Sequence, residues 1–537
     1  MRKILHIVVL CALASVVTAK PAYRGPVVRT AVDGTEKTVY MHGDELSHFV
    51  TDEAGQWLDE KTLLPLSESA KVARMKQQTE TRVRRAKQQT EQAAATSPNL
   101  APRGLVILVN FQDVKFTTPR DTIDSLLNAA HFSRKYSYKA QNPKTGRMTT
   151  YKVSAEGSAR RYFQDQSYGQ YNPIFDVVGP VTISREMAYY GENDSYGNDK
   201  HPGEMVKEAC QKADALGVNF ALYSNINQYQ VDFVYVIYAG YGEADGGGDS
   251  TVWPHQHMLS YTGNSVTLDG KRVNRYACGC EMNHISNVYD GIGTFCHEFG
   301  HVIGLPDFYE TNSTSQNIHT LGSWDIMDYG PYNNDGNTPP SYSAYERFFM
   351  GWLTPRILKE PEYVTLTPIN EGDGESLMIV NGDSHNLVNN NPNPTTFYLL
   401  EARKQTGWDL KIPGPGMLIT KIQYNASNWT YNSVNNDADN MGVDILEAKA
   451  NSGSKALATD AYPAGATQWT AFSGHEVTDI VKNSNGSISF SYRGAEKPNP
   501  EAVEEVESEV KAVKRLRDGK IVIVRDGKEY DILGRLL

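Results

Sequence analysis

Cysteine is scarce in this chain, with five in 537 residues. Cys11 lies in an apolar leader, which leaves Cys210, Cys278, Cys280 and Cys296. Cys278 and Cys280 lack the second pair that a four-cysteine zinc site needs. An even count in an exported protein favours disulfides, and Cys278 or Cys280 is the nearest candidate partner for Cys296. Positive charge is also short. Lys and Arg total 52 against 63 Asp and Glu, a net charge of -11, which argues against a general nucleic-acid binder. Beyond the leader, no stretch approaches the roughly 20 apolar residues needed to cross a bilayer, so a transmembrane anchor is not expected. A monomer is the expectation.

What is present begins with an export signature. Arg2 and Lys3 precede the apolar run Ile4 to Val17, and Val17-Thr18-Ala19 offers small residues for a signal peptidase. Residues 1–19 therefore read as a signal peptide and the protein as secreted, extracellular or at the cell surface. Residues 20 to about 66 alternate short β-like runs with turns such as Asp33-Gly34. Residues 67–100 are rich in Gln, Thr, Ala, Glu and basic side chains, with almost no large apolar ones, which fits a charged helix or linker. Together 20–102 suit a propeptide in front of a hydrolase, with a plain solvated linker as the other reading.

Folding resumes at Leu105-Val106-Ile107-Leu108-Val109, an apolar β-branched run that reads as a buried strand. Helices are predicted from Ser158 to Gln166 and from about Gly203 to Leu216, and a second strand from Val231 to Tyr238. Strand, helix, strand and a further helix make a mixed α/β unit over 103–355. From 356 to 495, short apolar runs at Tyr363 to Leu366, Phe397 to Leu400, Met417 to Ile422 and Ile488 to Tyr492 point to an all-β, sandwich-like domain. Residues 496–537 read as a linker and a short β tail with a hairpin at Asp526-Gly527. The whole is a multidomain α+β protein.

The chemistry centres on His297-Glu298-Phe299-Gly300-His301. Histidines at i and i+4 leave one face of a helix and can bind one cation, while Glu298 is turned toward the substrate side as a base. Gly304 then lets the helix end and the chain turn back, so that Asp307 can reach the metal as third ligand. This is the metzincin arrangement with Asp in place of the last His. A turn-capping Asp307, or Glu310 as the true ligand, are the competing readings. Ser323-Trp324-Asp325-Ile326-Met327-Asp328-Tyr329 resembles the Met-turn of metzincins, a resemblance that implies Met327 as the apolar floor beneath the metal and Tyr329 as a group that binds the metal or the developing oxyanion.

With these residues the chain resembles the immune inhibitor A-type metallopeptidases, peptidase family M6. The likeness extends through Arg103-Gly104-Leu105-Val106, Tyr168-Gly169-Gln170-Tyr171-Asn172-Pro173, Phe175-Asp176-Val177, His297 through Tyr309, Trp324-Asp325-Ile326-Met327 and Tyr345-Glu346-Arg347. It implies a metzincin-like catalytic domain, secretion, an N-terminal propeptide and a zinc endopeptidase acting on proteins or peptides. In that activity Glu298 assists attack by zinc-bound water. Asp307-Phe308-Tyr309-Glu310 departs from the family's usual Asp-x-Tyr-Asp without touching the metal set.

In the family the loop after the Val231 to Tyr238 strand ends in a Trp-Pro-His-like segment, matched by Trp253-Pro254-His255, and that strand would be the edge that aligns an extended peptide. Gly246-Gly247-Gly248, flanked by Glu243, Asp245 and Asp249, could hold Ca2+, with an ordinary polar loop as the alternative. His255 and His257 read as structural or substrate-facing. The tail from Lys520 to Leu537 resembles sorting segments of exported proteins, and equally a packing tail.

The alternative function is a surface adhesion or binding protein that uses Trp408, Trp429 and Trp469 of the β-rich region as exposed aromatics. A zinc hydrolase of non-peptide bonds would share the motif.

Overall fold

The computed structural model describes residues 18–90, 100–142, 145–194, 197–311, 318–451, 453, 455–498, 513–517, 520–525, 528–531 and 535–537. Residues 1–17 of the signal-peptide reading (1–19) and the Asp526-Gly527 turn lie outside the described residues, while its last two residues, Thr18–Ala19, form a strand.

A seven-stranded sheet organises the catalytic unit. Its order is Thr18–Ala19, His255–Met258, Arg275–Asn283, Val234–Tyr241, Arg103–Asn110 and Ile174–Thr182, with Val288–Tyr289 paired to Arg275–Asn283. The last four strands on that path run parallel, whereas His255–Met258 is antiparallel to Arg275–Asn283. Parallel strands need crossovers, which place helices on both faces and bury both sets of side chains. That is why Leu105 to Val109 is an unbroken apolar run rather than an alternating one.

The pleat divides the run between two cores. Leu105, Ile107 and Val109 face one layer with Met205, Val206, Ala209 and Cys210 from the helix Pro202–Ala215. Val106 and Leu108 face the other, with Phe295 and Phe299 from the helix Gly293–Ile303 and Tyr162 and Phe163 from the helix Ala159–Gln166. Each buried Phe or Leu contributes on the order of 1.5–3 kcal/mol, enough in aggregate to hold a helix whose eleven residues are all buried.

The second core does not stop at residue 355. Phe397, Leu399, Leu418, Ile422, Trp429 and Val443 join it from beyond that point. All but Trp429, which lies in the helix Ala426–Thr430, come from a five-stranded sheet ordered Arg356–Ile357, Leu377–Ile379, Thr396–Arg403, Gly416–Gln423 and Val443–Ile445. Alternate residues of those strands, Leu400, Met417 and Ile419, instead meet Val364, Ile488 and Phe490 of a three-stranded sheet. The β-rich region is thus a two-sheet layer fused to the catalytic unit through one continuous core.

At the other end, Pro26–Thr30, Glu36–Asp44, Ser47–Thr51 and Trp57–Leu58 form a four-stranded antiparallel sheet, followed by the polar helix Glu68–Thr90. Val27, Val39, Met41 and Val50 pack with Ala244 and Trp253 of the catalytic unit. No helix among the described residues is long and apolar enough to cross a membrane.

Candidate metal centre

The helix Gly293–Ile303 ends at Gly304, whose φ of 116° is a left-handed conformation that glycine adopts without a Cβ penalty. The Leu305 amide then donates to the Gly300 carbonyl at 3.0 Å, and the chain doubles back. This reversal returns Asp307 to the helix face that carries His297 and His301. His301 Nε2 lies 3.1 Å from His297 Nε2 and 3.1 Å from Asp307 Oδ1, and His297 Nε2 lies 3.4 Å from the same oxygen. Donors about 2.0–2.2 Å from one ion at tetrahedral angles stand about 3.3–3.6 Å apart, close to these separations.

The chemistry of the three atoms fits a cation. His297 Nδ1 faces the Ile326 carbonyl at 2.7 Å and His301 Nδ1 faces the Leu305 carbonyl at 2.8 Å. Each carbonyl needs an N–H, which assigns the proton to Nδ1 and leaves a lone pair on each Nε2. Asp307 Oδ1 is buried with no hydrogen-bond donor. Two nitrogen lone pairs and a carboxylate oxygen thus converge in a dry pocket, an arrangement that repels itself unless a positive charge sits among them. Glu310 is not part of this cluster, which is made by His297, His301 and Asp307.

A residue of the β-rich region holds Asp307 in place. Asn432 Nδ2 donates to Asp307 Oδ2 at 2.5 Å, while its Oδ1 accepts from the Asp307 amide at 2.6 Å. Nearby, Asn435 Nδ2 donates to the Phe308 carbonyl at 2.7 Å. No local pattern in the sequence pairs position 307 with 432. An Asn-rich loop, Asn432 to Asn436, was the available signal.

Met327 is fully buried beneath the helix. A Cβ added at Gly300 would stand 2.6 Å from its sulfur, so Gly300 is what lets the methionine sit so close. Asp325 Oδ1 accepts from the Met327 amide at 2.7 Å and shapes that turn. Tyr329 is half-buried, and its ring is covered by the Arg24 guanidinium at 3.5 Å. Burial pushes its hydroxyl up to about 12.

Glu298 points to another occupant. Its Oε1 accepts from the Lys20 backbone amide at 2.8 Å, its Oε2 is buried without a partner, and burial raises its pKa well above the ordinary value. The carbonyl of the same peptide bond, that of Ala19, accepts from Tyr309 Oη at 2.6 Å. Thr18–Ala19 pairs antiparallel with His255–Met258, Trp253 Nε1 donates to the Lys20 carbonyl at 3.0 Å, and Tyr332 Oη donates to the Pro21 carbonyl at 2.6 Å. An extended stretch of the chain therefore lies along the cleft, beside the candidate metal ligands.

Several expectations change here. The strand near Val231 to Tyr238 is not an edge, because parallel partners flank it on both sides, and it is His255–Met258 that pairs with the extended stretch Thr18–Ala19. His255 is structural, with its ring between the Trp253 carbonyl and Tyr276 Oη. His257 lies in the same strand, stacked on Tyr261. The glycine-loop carboxylates do not converge on a calcium position. Glu243 turns to His48 and Asn193, and Asp245 to Lys20.

The four described cysteines are free thiols. Cys296 belongs to the core on one face of the sheet and Cys278 and Cys280 to the core on the other, so no bridge between them can form. Trp408, Trp429 and Trp469 are buried, not exposed. Of the further motif residues, Glu346 closes a capping box with Ser343, and Arg347 is buried against Gln166.

Residues 91–353 match the family described as immune inhibitor A peptidase M6, catalytic domain. Immune inhibitor A of Bacillus thuringiensis subsp. alesti is 27% identical over 216 residues, 35% of this chain and 31% of that protein. The pre-pro-metalloprotease PrtV of Vibrio cholerae serotype O1 is 27% identical over 218 residues, 36% of this chain and 23% of that protein. The aligned stretch thus spans a third or less of these curated relatives. The resemblance carried by the motifs is met at the level of the family.

Proposed function

We propose that this chain is a secreted zinc-dependent endopeptidase, carried by the convergence of His297 Nε2, His301 Nε2 and Asp307 Oδ1 within 3.1–3.4 Å of one another. A nitrogen, nitrogen, oxygen set held by second-layer hydrogen bonds suits zinc, which would supply Lewis-acid polarisation of water and of the peptide carbonyl. The PrtV and family descriptions, both of peptidases, support a peptide-bond substrate over other bonds.

The protein's own groups divide the remaining work. Substrate strands add antiparallel to His255–Met258, in the position that Thr18–Ala19 occupies. Glu298 accepts the proton of the attacking water and returns it to the departing amide nitrogen, whose place is marked by the Lys20 amide at 2.8 Å. Tyr309 donates to the carbonyl of the same bond, so we assign it the oxyanion-stabilising role expected of Tyr329. Tyr329 instead seats Arg24. Residues 20–102 act as a propeptide, and the stretch from Thr18 to Pro21 that fills the cleft in the uncleaved chain must leave before substrate enters. The sequence of residues 1–19 supports export.

The test is metal content and casein cleavage by the full chain and its variants. Glu298→Ala should retain zinc and lose cleavage by about 10²-fold or more. His301→Ala should lose both. Wild-type casein cleavage by Glu298→Ala would sink the mechanism.

A further inference from the structure

Lys20 does more than contribute its backbone to the cleft. Its side chain, 2% exposed, enters a closed pocket where Nζ meets Asp245 Oδ1 at 2.7 Å and Thr294 Oγ1 at 3.0 Å. The ammonium lies 4.2 Å from the centre of the Tyr332 ring. Thr294 Oγ1 in turn donates to Asp290 Oδ2 at 2.8 Å. Asp245, Asp290 and Cys280 offer atoms within 4.8 Å of one another.

All five pocket residues belong to the catalytic unit and none to the N-terminal segment. The pocket therefore remains when the segment leaves. Two buried carboxylates are then left facing each other, and such a pair is strongly unfavourable without a cation. Burial raises the Asp290 carboxyl, and Lys20 opposes that rise.

The position of the pocket relative to the reacting bond is set by the backbone. The Lys20 amide is the one that Glu298 accepts from, and the Ala19 carbonyl is the one that Tyr309 donates to. Lys20 is held as a substrate residue would be, immediately after the bond to be cut. Resting on the peptidase reading above, we propose that Asp245 and Asp290 form a specificity pocket for lysine, so that the enzyme cleaves peptide bonds on the amino side of lysine residues. Thr294 and the Tyr332 ring close the pocket around a point-like ammonium, which favours lysine over the broader guanidinium of arginine. An apolar side chain would leave the Asp245 carboxylate without its ammonium partner, and sites of this kind discriminate by about 10²-fold or more.

Two measurements on the full chain test this. In the first, a denatured proteome is digested with the wild-type chain and with Lys20→Ala, whose pocket is vacated, and the new termini are read by mass spectrometry. Products beginning with lysine should exceed those beginning with leucine by at least about 10²-fold, and Asp245→Asn or, if that variant fails to fold, Asp290→Asn should cut this excess at least tenfold. In the second, n-butylammonium should raise the melting midpoint of Lys20→Ala by about 1–2 °C, n-butanol should not, and Lys20→Ala/Asp245→Asn should not respond to the amine. Cleavage without a lysine bias, or no response of Lys20→Ala to the amine, overturns the specificity pocket and leaves the peptidase reading intact. No cleavage by either chain, even after limited proteolysis has released the N-terminal segment, overturns the peptidase reading and the subsite with it.

Discussion

Asn432 and Asp307 hold each other through two hydrogen bonds, carboxylate to amide at 2.5 Å and backbone to carbonyl oxygen at 2.6 Å, across 125 residues of sequence. The bond to Oδ2 turns Oδ1 toward the two imidazoles. Asn432→Ala should therefore weaken zinc binding by about 10–100-fold, the usual cost of losing a second-layer partner, while the chain stays folded. Competition with a chromogenic chelator measures this. Unchanged affinity would show that Asp307 is positioned by its own loop.

Gly300→Ala addresses the floor of the site. The new Cβ would meet Met327 Sδ at 2.6 Å, and Met327 is fully buried, so either the methionine or the helix must shift. We expect a loss of about 1–3 kcal/mol, the range for overpacking a tight core, read as a lower denaturant midpoint. Gly300→Val should lose more. A neutral outcome for both would mean that the Met327 turn is loosely packed.

Docking of the N-terminal sheet should depend on pH. His48 Nε2 lies 3.4 Å from Glu243 Oε1 and 3.6 Å from Glu60 Oε2, with Arg74 also on Glu60 and Asn193 on Glu243. Burial opposes the His48 charge, but Glu243 and Glu60 outweigh it and raise its pKa above 6.5. The stability it adds is complete below about pH 6.5 and is lost as pH rises through the raised value. Burial also raises the Glu243 carboxyl, which costs stability over the same rise. Glu60 behaves oppositely. Burial works against its ionisation, yet His48 and Arg74 hold it down to about 2, so its contribution is lost only on strong acidification. Amide exchange in Pro26–Thr30 and Glu36–Asp44 should be slower at pH 6 than at pH 9, and His48→Ala should flatten the difference. Equal protection at the two pH values in the wild type would refute the coupling.

The thiols give a direct chemical check. Cys210, Cys278, Cys280 and Cys296 are buried and free. Alkylation of the protein unfolded without reductant should modify all four, and the native protein should resist. Retained pairs after unfolding would contradict the placement of Cys296 across the sheet from Cys278 and Cys280.

Local periodicity made much of this molecule legible. The i, i+4 spacing of His297 and His301 places both rings on one helix face, Gly304 permits the reversal toward Asp307, and the unbroken run at Leu105 to Val109 requires a strand covered on both sides. These are consequences of the backbone's own geometry over a few residues. Contacts between distant segments obey no such period. That Thr18–Ala19 pairs along His255–Met258, that the Lys20 amide reaches Glu298 across 278 residues, and that Asn432 orients Asp307 follow from how the sheets stack. The same stacking sorts the cysteines to opposite faces of one sheet and turns Trp408, Trp429 and Trp469 inward, because each apolar surface is buried against whichever layer the topology brings to it. The sequence thus determined which residues could meet a metal, and the tertiary structure alone decided what holds them and what lies in the cleft beside them.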